Sequence, residues 1–102
     1  NIHPYWDGVV DSVNGVALVL NHYNDIKTRG GKAVLVKETG YPTAGDIRVS
    51  EELQRDFYDN LAQTETKFSY FESFDQEWKR GPPVEPHWGI LKSNRAPKAI
   101  LI

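Results

Sequence analysis

The stretch Ala33-Val34-Leu35-Val36-Lys37-Glu38-Thr39-Gly40-Tyr41-Pro42 decides the fold. Its first half is β-branched and nearly continuous in apolar character. Such a run fits a strand over 33–37 buried on both faces, as in a parallel sheet. Its second half is a loop by composition, because Gly and Pro punctuate regular structure. Upstream, Val13, Val16, Val19, Leu20, Tyr23 and Ile26 recur at three-or-four spacing. That period predicts a helix over 11–29, stopped by Gly30-Gly31. Downstream, Ser50 caps a second helix over 50–66, with Glu51 and Glu52 in its first turn. Leu53, Phe57 and Leu61 mark its buried face. A short apolar start, Ile2 to Tyr5, and an aromatic run, Phe68 to Glu72, read as two further strands. The tail from Ala96 to Ile102 starts like a helix, with Pro97 at its first position.

Strands therefore alternate with helices, which argues for parallel strands joined by right-handed crossovers. Two architectures fit: a doubly wound open sheet, or a segment of a barrel. The 102 residues make one small domain, well short of the ~250 of a complete (β/α)8 barrel. Twelve basic residues against fourteen acidic ones leave a net charge of −2, with no basic footprint for nucleic acid. No apolar run approaches the ~18 residues of a membrane span. The absence of Cys excludes disulfides and thiolate metal sites. His3, His22 and His87 are too scattered for a metal motif, and no glycine pattern cradles phosphate. No cofactor is expected. His22 reads as a surface residue, and His3 and His87 as makers of structural hydrogen bonds.

In βα folds the chemistry sits at the carboxyl ends of the strands. All three strand ends carry carboxylates beside aromatics: Tyr5-Trp6-Asp7, Glu38-Thr39-Gly40-Tyr41, and Phe71-Glu72-Ser73-Phe74-Asp75 followed by Trp78-Lys79. Sugar rings stack their apolar faces on aromatics, and paired carboxylates cleave glycosidic bonds. Carbohydrate chemistry is the class this combination serves.

Lys37-Glu38-Thr39-Gly40-Tyr41-Pro42-Thr43 resembles the nucleophile segment of glycoside hydrolase family 17, E-[ST]-G-[WY]-P. This is the β-1,3-glucanase and glucanosyltransferase family. Asn1-Ile2-His3-Pro4-Tyr5-Trp6 is similar to its sixth-strand segment, N-I-x-P-Y. Tyr70 to Asp75, with Trp78-Lys79 and Glu85-Pro86-His87-Trp88-Gly89-Ile90, resembles its eighth strand and the loop that follows. The resemblance runs from Asn1 to about Lys98 and places three motifs in family order. It implies a (β/α)8 TIM barrel, of which residues 1–102 supply the sixth to eighth βα units as the C-terminal portion of one catalytic domain. It implies a retaining mechanism with Glu38 as nucleophile. The matching acid/base is a Glu in an Asn-Glu pair ending the fourth strand. No Asn-Glu pair occurs here, so the acid/base and the N-terminal part of the barrel are expected elsewhere.

Lys79 and Glu85 match positions that the family uses near the nucleophile. Tyr5, at a strand end, and Trp78 are the favoured sugar-stacking candidates, and Glu72, ending a strand, is expected to shape charge around the sugar. Tyr41 is a further stacking candidate, and Trp6 and Trp88 divide between stacking and core. Lys79 is expected to hydrogen-bond Glu38 and hold it ionised. The implied substrate is a β-glucan oligosaccharide or polysaccharide, handled by hydrolysis or by transglycosylation. The implied location is extracellular, periplasmic or on the cell envelope. The competing reading is a barrel segment that binds glucan without cutting it.

Overall fold

The computed structural model describes all 102 residues as a small α/β unit with parallel strands. Helix α1 spans Ser12–Gly30 and helix α2 spans Glu51–Ala62. Strand β1 is Val36–Thr39, and it pairs in parallel with β2, Phe68–Tyr70. Val36 faces Phe68 and Thr39 faces Tyr70, with an irregular register between.

Both helices start as their sequences dictate. Asp11 accepts a hydrogen bond from the Asn14 N–H at 2.8 Å, and Ser50 accepts one from Leu53 at 3.0 Å. Such caps satisfy backbone donors that a helix start leaves free. At the other end of α1, Gly31 takes the left-handed conformation (φ 61°) and its N–H closes on the Lys27 carbonyl. Both helices turn one stripe to the strands. Gly15, Val19 and Tyr23 are the buried positions of α1, and Gln54, Phe57 and Leu61 those of α2. With Val36 and Tyr41, the apolar members of these stripes form the core. Val13 and Ile26 lie off the α1 stripe and are exposed.

Several expectations change. Residues 1–5 form no regular strand. Only the Ile2 N–H reaches the Glu38 carbonyl, at 2.9 Å, before Pro4–Asp7 curls into a 3-10 turn. Pro4 has no N–H to continue a ladder. Gly8 at φ 79° then releases the chain toward α1. Strand β1 sits later than 33–37, because β2 begins its pairing opposite Val36. Glu38 thereby lies inside the strand rather than in the loop after it. In β1 Lys37 is open, and Leu35 just before the strand is 61% exposed, so within residues 1–102 the helices cover one side only. Helix α2 ends at Ala62, and the tail forms only a 3-10 turn over Ala99–Leu101. Lys98, not Pro97, precedes that turn.

Beyond β2 the chain keeps pairing irregularly. The Phe71 N–H reaches the Thr39 carbonyl at 2.8 Å. Glu72 exchanges backbone hydrogen bonds with Trp88 and Ile90, and Leu91 with Ser73 and Asp75. The Phe71–Glu72 peptide is cis. These contacts bring the segments bearing Glu38, Glu72 and Trp88 side by side.

Candidate active site

Gly40 explains one letter of the motif. It is buried, and a Cβ there would run into the Phe71 carbonyl oxygen. The strand after Glu38 can pass the Phe71–Glu72 segment only without a side chain. The following Tyr41 turns inward and is fully buried. Its hydroxyl donates to the Val9 carbonyl at 2.7 Å, beside the bare Cα of Gly15, and its ring packs edge-on to Phe57. Burial, with the Asp11 charge second, pushes the Tyr41 phenol far above the ordinary tyrosine range. Tyr41 is therefore a core residue and not a sugar platform. Its single polar atom is better satisfied inside than a flat ring is used outside.

The Glu38 side chain is 37% exposed, and His3 Nε2 lies 3.2 Å from its Oε1. His3 Nδ1 is buried without a partner. A carboxylate accepts, so the tautomer that fits carries its proton on Nε2. The imidazole is held edge-on between Phe71 at 5.5 Å and Trp88 at 5.3 Å. Trp88 is only 2% exposed. It also meets Tyr5 edge-on and stacks with Trp6 at 6.1 Å. Trp88 thus backs the aromatic wall, while Trp6 and Trp78 keep open faces at 50% and 69% exposure.

Tyr5 is anchored rather than free. Its hydroxyl donates to Asp46 Oδ2 at 2.8 Å, and Arg48 clamps the same carboxylate at 2.7 Å and 3.1 Å. The Arg48 side chain first, then its backbone N–H and the Tyr5 hydroxyl, hold the Asp46 carboxyl well below the usual carboxylate range. Desolvation, aided by the hydrogen bond to Asp46, raises the Tyr5 phenol.

Lys79 does not meet Glu38. Its ammonium bonds Glu72 Oε2 at 2.7 Å and lies 4.9 Å over the Phe71 ring. Glu72 follows Phe71 directly, so the lysine has the nearer carboxylate and an aromatic face together. Gln76 holds the other Glu72 oxygen, also at 2.7 Å. Glu85 opens the turn Glu85–His87, half-buried, and its carboxylate accepts no hydrogen bond. His22 is exposed on α1. No three His, Asp or Glu side chains are grouped to hold a metal ion.

Several partners escaped the sequence reading. His3 serves Glu38 itself, and Asp46, Gln76 and Gln54 are positioned by loops and α2. Gln54 is fully buried, and its Nε2 donates to the Tyr41 and Gly89 carbonyls at 3.2 and 3.0 Å. A glutamine on the apolar stripe of α2, between Leu53 and Phe57, was the one available signal for it.

Residues 1–89 match the model of the BtgE/BtgC glycoside hydrolase domain. The chain belongs to this glycoside hydrolase family. Among solved structures, it superposes on the family 17 β-1,3-glucanosyltransferase of Rhizomucor miehei with a TM-score of 0.81 and 31% identity. That match covers 97% of this chain and 40% of the enzyme. An active-site mutant of the same enzyme, in complex with laminaritriose, superposes with a TM-score of 0.83 at 30% identity over the same shares. The cell surface mannoprotein MP65 of Candida albicans is 31% identical over 91% of this chain. The chain spans 27% of MP65, so it corresponds to part of each of these relatives. Its parallel strands and flanking helices match part of a glycoside hydrolase barrel. No helix is long and apolar enough to cross a membrane.

Proposed function

We propose that this chain supplies the nucleophile and one wall of the glucan cleft in a retaining glycosidase acting on β-1,3-linked glucan. One observation carries the reading. The Glu38 carboxylate stands at the carboxyl end of a parallel strand, with Oε1 on His3 and Oε2 without a protein partner.

The His3 N–H fixes one oxygen and leaves Oε2 to attack the anomeric carbon. That attack forms a glycosyl ester and breaks the glycosidic bond. A second carboxylic acid, outside residues 1–102, gives its proton to the departing oxygen. Retaining enzymes hold that pair only ~5–5.5 Å apart. Water or a sugar hydroxyl then attacks the same carbon, its proton passing to the second carboxylate, and Glu38 is released. Hydrolysis and glucanosyl transfer share the first half of this sequence. The Rhizomucor miehei relative is a glucanosyltransferase, which supports transfer.

Glu72 is a poor acid because Lys79 and Gln76 already occupy both its oxygens. Its part is to shape charge along the sugar path, with Lys79 as its counter-ion. Tyr5, Trp78 and Glu85 complete the proposed sugar contacts. An extracellular or cell-wall location is supported by the surface mannoprotein relative. In the full-length protein, Glu38→Gln is expected to abolish release of reducing ends and of transfer products from laminarin while glucan binding persists. Near-normal turnover by that variant removes Glu38 from the mechanism. If the unsubstituted protein binds laminarin and never turns it over, the binding-only reading takes its place.

A further inference from the structure

Lys98 lies outside the residues shared with the family model, in a tail with no regular helix. It is nevertheless 2% exposed. Its ammonium meets Asp75 Oδ1 at 2.6 Å, Thr43 Oγ1 at 2.8 Å and the His87 carbonyl at 3.5 Å. Those acceptors come from three segments: the loop after β1, the loop after β2, and the 85–87 turn. Asp75 Oδ1 also accepts the Gly89 N–H at 2.9 Å. Thr43 binds the His87 carbonyl through both its N–H and its hydroxyl. One buried cation thus ties together the segments that continue from Glu38, from Glu72 and into Trp88.

Resting on the nucleophile reading above, we propose that Lys98 and Asp75 form a positioning latch that holds Glu38 and the Trp88 wall in register for attack. A buried ion pair is a weak source of stability, since desolvation offsets most of its attraction. What it does well is to permit one arrangement, because each loop must arrive at the same cation. Apolar residues of equal volume would hold the tail down without fixing that arrangement. Displacement of a reacting group by about 1 Å costs on the order of 100-fold in rate.

The test is the double variant Lys98→Met with Asp75→Asn in the full-length protein. It removes both charges, so neither is left buried alone, and the asparagine still accepts from Gly89. An activated 2-deoxy-2-fluoro-β-laminaribioside reads the first chemical step as a rate of covalent labelling and counts the competent sites. The latch predicts a full complement of sites, a thermal midpoint near that of the unsubstituted protein, and labelling slowed about 10–100-fold per site. Labelling at the unsubstituted rate per site overturns it, whether all sites survive or fewer do. The latter outcome makes the pair structural only. Failure of the unsubstituted protein to label at all is a separate result. It sinks the nucleophile reading and the latch with it.

Discussion

Tyr41→Phe separates a core role from a sugar-binding one, because it removes a single oxygen and keeps the ring. Tyr41 is fully buried and its hydroxyl donates to the Val9 carbonyl at 2.7 Å. Losing that hydrogen bond costs about 0.5–1.5 kcal/mol, and a carbonyl left dry brings the total to roughly 1–2 kcal/mol. In a protein of barrel size, each kcal/mol lowers the melting midpoint by roughly 2–4 °C, so a drop of about 2–8 °C is expected. The phenol adds a pH signature. Its folded-state pKa is raised above the unfolded value, chiefly by burial. Its contribution is therefore complete below the unfolded value of ~10 and is lost as pH rises toward the folded one. The gap in melting midpoint between the unsubstituted protein and the Tyr41→Phe variant should stay constant from neutral pH to about 10 and shrink above it. Calorimetry across that range reads the gap, and kinetics on laminari-oligosaccharides should stay within about twofold, since the lost hydrogen bond joins two groups of the core. A KM raised tenfold with an unchanged melting midpoint refutes the core assignment.

Two other substitutions probe the strand crossing and the rim. Gly40→Ala drives a Cβ into the Phe71 carbonyl, so soluble yield and near-UV dichroism should both collapse. Native spectra for that variant contradict the close approach. Trp78→Ala removes an indole that is 69% exposed, so stability should change by no more than ~0.5 kcal/mol. A stacking contact worth about 0.5–1.5 kcal/mol predicts a KM for longer oligosaccharides raised roughly 2–10-fold, and an unchanged KM takes Trp78 out of the sugar path.

Local chemistry and the parallel pairing of β1 with β2 were legible, and the bounds of the strands were not. The Ser50 cap, the glycine stop of α1 and the Leu61 stripe of α2 depend on neighbours within a few residues, and the sequence displays them; the Asp11 cap emerges only from the structure. The extent of β1 depends on where β2 begins to pair, over thirty residues away, and so the strand slid from 33–37 to Val36–Thr39. Apolar character at Leu35 could not reveal which side of the strand lacks a cover. The motif around Glu38 located the candidate nucleophile, and the structure adds the groups that hold it. His3 is thirty-five residues away from Glu38, and its two rings of support come from Phe71 and Trp88. The resemblance set Lys79 beside Glu38, but Glu72 is the carboxylate that it reaches. Aromatic character alone misplaced Tyr41, whose hydroxyl finds its acceptor inside the fold.

The central claim is that Glu38 forms the covalent bond to sugar. The direct measurement is peptide mapping of the full-length protein after inactivation by an activated 2-deoxy-2-fluoro-β-laminaribioside. The account predicts one fluorosugar per molecule, ester-linked within the peptide that contains Glu38, with none on Glu72 or Glu85. A label on another carboxylate contradicts it, as does an inactivated protein whose Glu38 peptide is unmodified.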